Sequence, residues 1–345
     1  MRLLALAGIL LAAVALAGCA NPDDQPPLAE YGRYAGSPRL IDPGQYIAYL
    51  KQTRFTHGEL DDLPTGAIIY HGDPLPMLYR LGYTDAAIGP PIELGTTDPE
   101  TLYVVQPNKD TAFMVERGLP GAGGIATEAA ELYGLGARDI VHIGTCCALG
   151  QSLPTNYAFT ISHGLQNGDL VLFERAGGRI PSAEDVIVAL GAYRDGAAVM
   201  LAKDSTDRIS SPAGLLSIAC AASLAQQGIP AFGAVGYTIP IYYGQPSGLL
   251  VDLLQSDAFS SPRPAYIEME EASFFESGRR FGFVTASLTV PSDRYWLEQG
   301  KLHHEYLDDA ATDKSLSNAL AAAIEAVTSM TRGSFSKSPA TNHAS

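Results

Sequence analysis

The sequence predicts an α/β fold: a single three-layer domain with a mixed, mostly parallel central sheet flanked by helices. Three observations carry this expectation. Apolar strand signals alternate with helical ones along the body of the chain, the order that builds parallel sheets with helices packed on them. Neither an internal repeat nor a second shift in composition divides residues 40–332, so one domain is expected there. Of the 345 residues 46% are hydrophobic and only four are cysteine, so a core rather than disulfides holds the fold.

The elements follow in chain order. Gly66-Ala67-Ile68-Ile69-Tyr70 is a short strand running into the turn Gly72-Asp73-Pro74. A glycine-rich loop, Gly121-Ala122-Gly123-Gly124, leads into a helix over 125–135 that Gly136 stops. A buried strand over 139–143 opens into Gly144-Thr145. A helix over 213–227 ends at Gly228, and Ile229-Pro230 introduces a strand over 231–237. Residues 281–290 alternate apolar positions with Gly, Thr and Ser before a turn at Pro291-Ser292-Asp293. The last helix sets Leu316, Leu320, Ile324, Val327 and Met330 at spacings of four and three, one stripe facing a core. Residues 174–211 read as a strand-and-loop insertion, and 333–345 as a polar, disordered tail.

The two ends and the charge bound the function. Residues 1–19 have a single Arg2, an apolar run and the sequence Leu16-Ala17-Gly18-Cys19, which resembles the lipobox of bacterial lipoproteins. That resemblance implies export, lipidation of Cys19 and attachment to a membrane of the cell envelope, inner or outer, with 20–39 as a flexible tether. The apolar run falls short of the roughly 20 residues that span a bilayer. A formal net charge of −15 argues against nucleic acid and against electrostatic adhesion to anionic lipid, leaving a small-molecule ligand. Adjacent Cys146 and Cys147 are poorly placed to bridge each other, and no Cys or His spacing marks a zinc site; neither a metal nor an organic cofactor is expected.

Ligands of open α/β sheets bind at the carboxyl ends of parallel strands, and four such loops carry suggestive residues. Gly72-Asp73-Pro74 matches the start of a GDPxR phosphate loop. The stretch Arg138-Asp139-Ile140-Val141-His142-Ile143-Gly144-Thr145 is similar to a strand ending in RxGTxG. Gly168-Asp169 resembles a GD strand start, and Tyr243-Gly244-Gln245 a base-recognition segment. Ile267-Glu268-Met269-Glu270 matches an E-M-E ribose motif, and Ser292-Asp293 a catalytic Ser-Asp pair. In this order, over about 60–330, they resemble the nucleoside phosphorylase family, which includes uridine phosphorylase, purine nucleoside phosphorylase and the methylthioadenosine nucleosidases. The resemblance implies a nucleoside as partner, cleavage of its N-glycosidic bond, a homo-oligomer, and inorganic phosphate as co-substrate.

It also assigns residues. Glu270 would accept hydrogen bonds from the ribose hydroxyls and steady an oxocarbenium-like sugar, with Glu268 and Met269 beside it. The same carboxylates at a helix start would also complement the helix dipole. Gln245 could pair with a pyrimidine edge, whereas Asp293 could protonate a purine nitrogen, so the base stays open. Thr145 and Gly144 would cradle ribose or anion, together with Gly72, Asp73 and His142 at the phosphate site, and His57 resembles a histidine lent to a neighbouring subunit's sugar site.

Two departures bear on the reaction. Pro76 stands where GDPxR has arginine and His142 where RxGTxG has arginine, although phosphate dianions are usually held by guanidinium forks. Arg80, Arg117 or Lys109 would have to substitute. The last glycine of RxGTxG is Cys147. Phosphorolysis, phosphate-independent hydrolysis and nucleoside binding without catalysis all remain open at the level of sequence.

Overall fold

The computed structural model describes residues 42–94, 101–150, 180–194, 198, 201, 209–212, 214–229, 231–239, 247–255 and 264–335. The proposed signal with Cys19, the tether, Gly168-Asp169, Gln245 and the tail beyond 335 lie outside them. Among the described residues no helix is long and apolar enough to cross a membrane.

The helices are α1 (Pro43–Thr53), α2 (Pro74–Arg80), α3 (Ala122–Gly134), α4 (Gly214–Gln226), α5 (Ser247–Gln255), α6 (Glu271–Phe281) and α7 (Asp309–Phe335). The strands are β1 (Gly66–Tyr70), β2 (Ile92–Glu93), β3 (Thr101–Asn108), β4 (Thr111–Arg117), β5 (Asp139–Leu149), β6 (Val186–Tyr193), β7 (Ile209–Ser210), β8 (Ala231–Thr238), β9 (Tyr266–Glu268), β10 (Val284–Glu298) and β11 (Lys301–Tyr306). They form one mixed sheet in which β1 lies parallel between β4 and β5. Strand β5 is parallel to β10 along its whole length, β10 is antiparallel to β6, and β6, β8 and β9 are parallel to one another.

The two longest strands fork. The first half of β5 pairs with β1 and its end pairs antiparallel with β9. Likewise β10 meets β6 at Leu288 and Thr289, then β11 from Asp293 onward. Because β10 joins both β5 and β6, the path β5–β10–β6–β8–β9–β5 closes into a five-stranded ring. Strands β1, β4, β3 and β2 extend from it as an open wing. Cys146, Ile187, Phe232 and Tyr266, one from each of four ring strands, form a single buried cluster.

Layering follows from residue period. All five residues of β1 are buried, as expected of a parallel strand covered on both faces. Ile68 and Tyr70 pack with Leu316, Leu320 and Val327 of α7. Ala67 and Ile69 face the other way, toward Ile125, Ala129 and Leu132 of α3. Helix α1 starts with Asp42 and Gln45 in a reciprocal cap and Pro43 in the first turn, three signals that agree.

Four features differ from the sequence expectation. Pro291-Ser292-Asp293 is not a turn, because β10 runs through it in register with β5, and a bulge between Pro291 and Asp293 absorbs the proline that cannot donate to the ladder. Strand β5 continues to Leu149 instead of ending near Ile143. Within 174–211, Val186–Tyr193 is a wall of the ring, so that strand belongs to the central sheet and not to an insertion. Helix α7 runs to Phe335, three residues past the expected boundary at 332.

Candidate functional site

The site forms where β1, β5 and the β9–α6 junction converge. His71 follows β1, and its backbone N–H donates to the carbonyl of Ile143 on β5 at 2.9 Å. Gly118, after β4, donates to the carbonyl of Tyr70 at 2.8 Å, which lays it against the His71 ring. A Cβ at Gly118 would stand 2.3 Å from His71 Cδ2, so only glycine fits there. His142 reaches from mid-β5, its ring centroid 4.7 Å from that of His71 and the planes at 75°. Its Nδ1 lies 2.9 Å from Ser287 Oγ on the neighbouring strand.

Glu270 completes the group from the residue before α6. Its Oε1 accepts the Gly121 N–H at 2.7 Å, and its Oε2 accepts the Met269 N–H at 3.1 Å. Gly121 has φ +91° and is the cap of α3, so the start of that helix is turned toward the carboxylate, where its dipole favours negative charge. Oε1 is also 3.7 Å from His71 Nδ1. One ring nitrogen from each histidine and one Glu270 oxygen all lie within 4.8 Å of one another.

Burial sets the charge state. It pushes His71 down to about 4, and it holds His142 well below the ordinary histidine value, with the neighbouring His71 adding to the effect. Both rings are therefore neutral near pH 7. Nε2 of each is buried without a hydrogen-bond partner among the described residues. Behind His142 runs a polar chain in which Ser287 donates to Glu271 Oε1 at 2.9 Å and Tyr266 donates to Glu271 Oε2 at 2.6 Å. Burial raises Glu271 to about 8, reinforced by the charge of Glu270 and opposed by the two hydroxyls.

The other expected site residues divide. Gly144 stays with the cluster, for a Cβ there would meet His142 Nε2 at 3.2 Å. Glu268 is buried but turned into its own loop. Its Oε2 accepts the N–H groups of Glu270 at 2.5 Å and Glu271 at 2.6 Å, and its Oε1 accepts the Thr238 hydroxyl. These contacts make it an anchor of the start of α6. Met269 is partly buried against Cys147, Ile239 and Ile267. Gly72 has φ +135°, and Asp73 caps α2 by accepting the Leu75 N–H at 3.1 Å.

Thr145 and Asp293 are not brought to the cluster. Side chains alternate along β5, and the His142–Ser287 contact fixes which face is which, so Thr145 and Cys147 point the opposite way. Asp293, paired in register with Cys147, shares that face and lies 2.8 Å from His304 Nε2 of β11. His57 is on an exposed turn, its N–H donating to Glu59. Nor do the substitute cations collect here: Arg80 lies 3.9 Å from Asp313 at the surface, and Lys109 and Arg117 are exposed.

His71 is the residue sequence reasoning missed. It immediately precedes the recognised Gly72-Asp73-Pro74, and its position at the carboxyl end of a parallel strand next to that of His142 was the available signal.

No family model and no curated protein matches this chain. Among solved structures it is similar to purine nucleoside phosphorylase from Toxoplasma gondii in complex with immucillin-H, with a TM-score of 0.54 at 17% sequence identity. The match covers 79% of this chain and 94% of that one. The fold is nucleoside phosphorylase-like. At this identity the likeness is one of architecture, and the residues of the site stand on their own geometry.

Proposed function

We propose that this chain binds a nucleoside and cleaves its N-glycosidic bond, with Glu270 as the ribose-orienting carboxylate. The observation that carries the reading is the placement of Glu270: a buried carboxylate aimed at the start of α3, beside two histidines, on a nucleoside phosphorylase-like fold. A carboxylate has two acceptor oxygens, the geometry that suits a pair of neighbouring sugar hydroxyls. As the glycosidic bond lengthens, positive charge grows on the sugar and the same carboxylate stabilises it more than the ground state, which is what accelerates the step.

Within this reading we favour water over phosphate as the acceptor. The positions where the family resemblance calls for two guanidinium groups hold Pro76 and His142, and His142 and His71 are neutral. A phosphate dianion brought beside Glu270 would meet no fixed positive charge from those side chains. Purine or pyrimidine specificity stays open in this proposal. Export with lipid on Cys19 and a homo-oligomeric state belong to it on the strength of the sequence alone. The test is release of free base from a nucleoside panel with and without phosphate, comparing the parent protein with Glu270→Gln: phosphate-independent, Glu270-dependent release supports the reading.

A further inference from the structure

We propose that His71, His142 and Glu270 form a binding site for a single divalent transition-metal ion. The donor set is two imidazoles and one carboxylate, a combination that suits zinc, iron and neighbouring metals and leaves coordination positions open for water or ligand. The three donors lie within 4.8 Å of one another. Ligands held at about 2.0–2.2 Å from a tetrahedral zinc ion stand roughly 3.4 Å apart. The group therefore needs to close by about an ångström or somewhat more, within the reach of side-chain rotation.

Several independent features point to a ligand. A buried imidazole nitrogen ordinarily has a partner, and here Nε2 of His142 has none among the described residues, while His71 turns its Nδ1 toward Glu270 Oε1 at 3.7 Å. Where Ser287 donates to Glu271, His142 Nδ1 donates to Ser287, which leaves Nε2 as the nitrogen with a free lone pair. The chain His142–Ser287–Glu271–Tyr266 is the kind of outer support that fixes the orientation of a metal-bound histidine. Glu270 is held in turn by the N–H groups of Gly121 and Met269. Gly144 leaves the tip of the His142 ring uncovered, as a side chain there would not.

Sequence spacing could not reveal this site, because its donors come from three distant segments that only β1–β5 pairing and the β9–α6 junction unite. The metal site does not depend on the nucleoside reading. Its chemical use does: a cation here would supply positive charge that His71 and His142, both neutral, do not, where an anion or a developing hydroxide is to be held.

The full-length protein, stripped with a chelator and titrated with Zn²⁺ and then Co²⁺ in the absence of nucleoside, is expected to bind one equivalent. Co²⁺ should give visible d–d bands of a low-coordinate nitrogen and oxygen site. His71→Ala, His142→Ala and Glu270→Gln should each weaken binding at least tenfold, and His303→Ala on the exposed β11 should not. Since a buried alanine can unfold the site, His142→Gln is measured alongside by thermal unfolding: Zn²⁺ should raise the Tm of the parent and leave that of the variant unchanged. Absence of stoichiometric binding, or a Co²⁺ spectrum indifferent to both histidine substitutions, overturns the proposal. Metal binding without nucleoside cleavage would sink the proposed function and leave this site standing; cleavage without metal binding would do the reverse.

Discussion

His71 and His142 meet edge to face, centroids 4.7 Å apart, because β1 and β5 run parallel with Tyr70 opposite Ile143. One register places both imidazoles at the carboxyl end of the same strand pair. A slip of one residue would turn either ring to the other face of the sheet. The contact is thus a consequence of strand pairing, and Gly118 and Gly121 supply the clearance and the N–H that seat His71 and Glu270.

Gly118→Ala tests that seating. The new methyl would collide with the His71 ring, and overpacking of this kind costs about 1–3 kcal/mol. Denaturant unfolding should show a lower midpoint, and Co²⁺ binding should weaken. Gly123→Ala within α3, where nothing lies within 4 Å, is the contrast: it should gain roughly 0.5–1 kcal/mol and leave the site intact. Equal effects of the two substitutions would refute the steric account.

Glu268 and Glu270, two residues apart, should separate stability from binding. Glu268→Ala strips acceptors from two buried N–H groups and a hydroxyl, and each orphan costs about 1–3 kcal/mol, so a large fall in Tm is expected. Glu270→Gln should keep most of the fold while nucleoside affinity drops about 10- to 100-fold, the worth of hydrogen bonds to a charged group. Calorimetric titration beside thermal unfolding distinguishes the pair. A Glu268 variant that is stable but fails to bind would return it to the ligand.

The sequence already held much of this. The buried strand at 66–70 and the apolar stripe of α7 were legible because local periodicity and packing agree there, and so was the helix α3, although it starts at Ala122, inside the run expected to be a loop. Glu270 was singled out by the E-M-E pattern, and the structure places it beside His71 and His142. What was not legible depends on pairing between distant segments. Pro291-Ser292-Asp293 has turn composition, yet the partner strand β5 holds it extended. Thr145 sits in the same recognisable run as His142, but period-two alternation sends it to the other face. His71 carries no motif of its own, and its meaning comes from a neighbour that only the sheet supplies.

Asp293 has a structural role on this geometry. Buried beside Cys147 and 2.8 Å from His304, it ties β10 to β11. Asp293→Asn should lower Tm while changing the rate of base release less than threefold at a temperature where both proteins are folded. A hundredfold loss of kcat with an intact fold would restore it as general acid.

The three described thiols should be inert in the native state. Burial raises Cys146 and Cys147 well above the ordinary range, and pushes Cys220 up to about 12. The thiolate is the reactive form, so a disulfide reagent at pH 8 should label none of them until denaturant is added. Raised in the folded state, Cys220 stabilises below its unfolded value near 9, and that contribution is lost as pH climbs toward 12. Rapid native labelling would show that β5 or α4 opens.

The most direct test of the central claim is base release by the purified protein from a panel of purine and pyrimidine nucleosides, with and without phosphate. The account predicts release that needs no phosphate and falls at least tenfold in Glu270→Gln. Release that requires phosphate would contradict the choice of water as acceptor, and a panel neither bound nor cleaved would contradict the account itself.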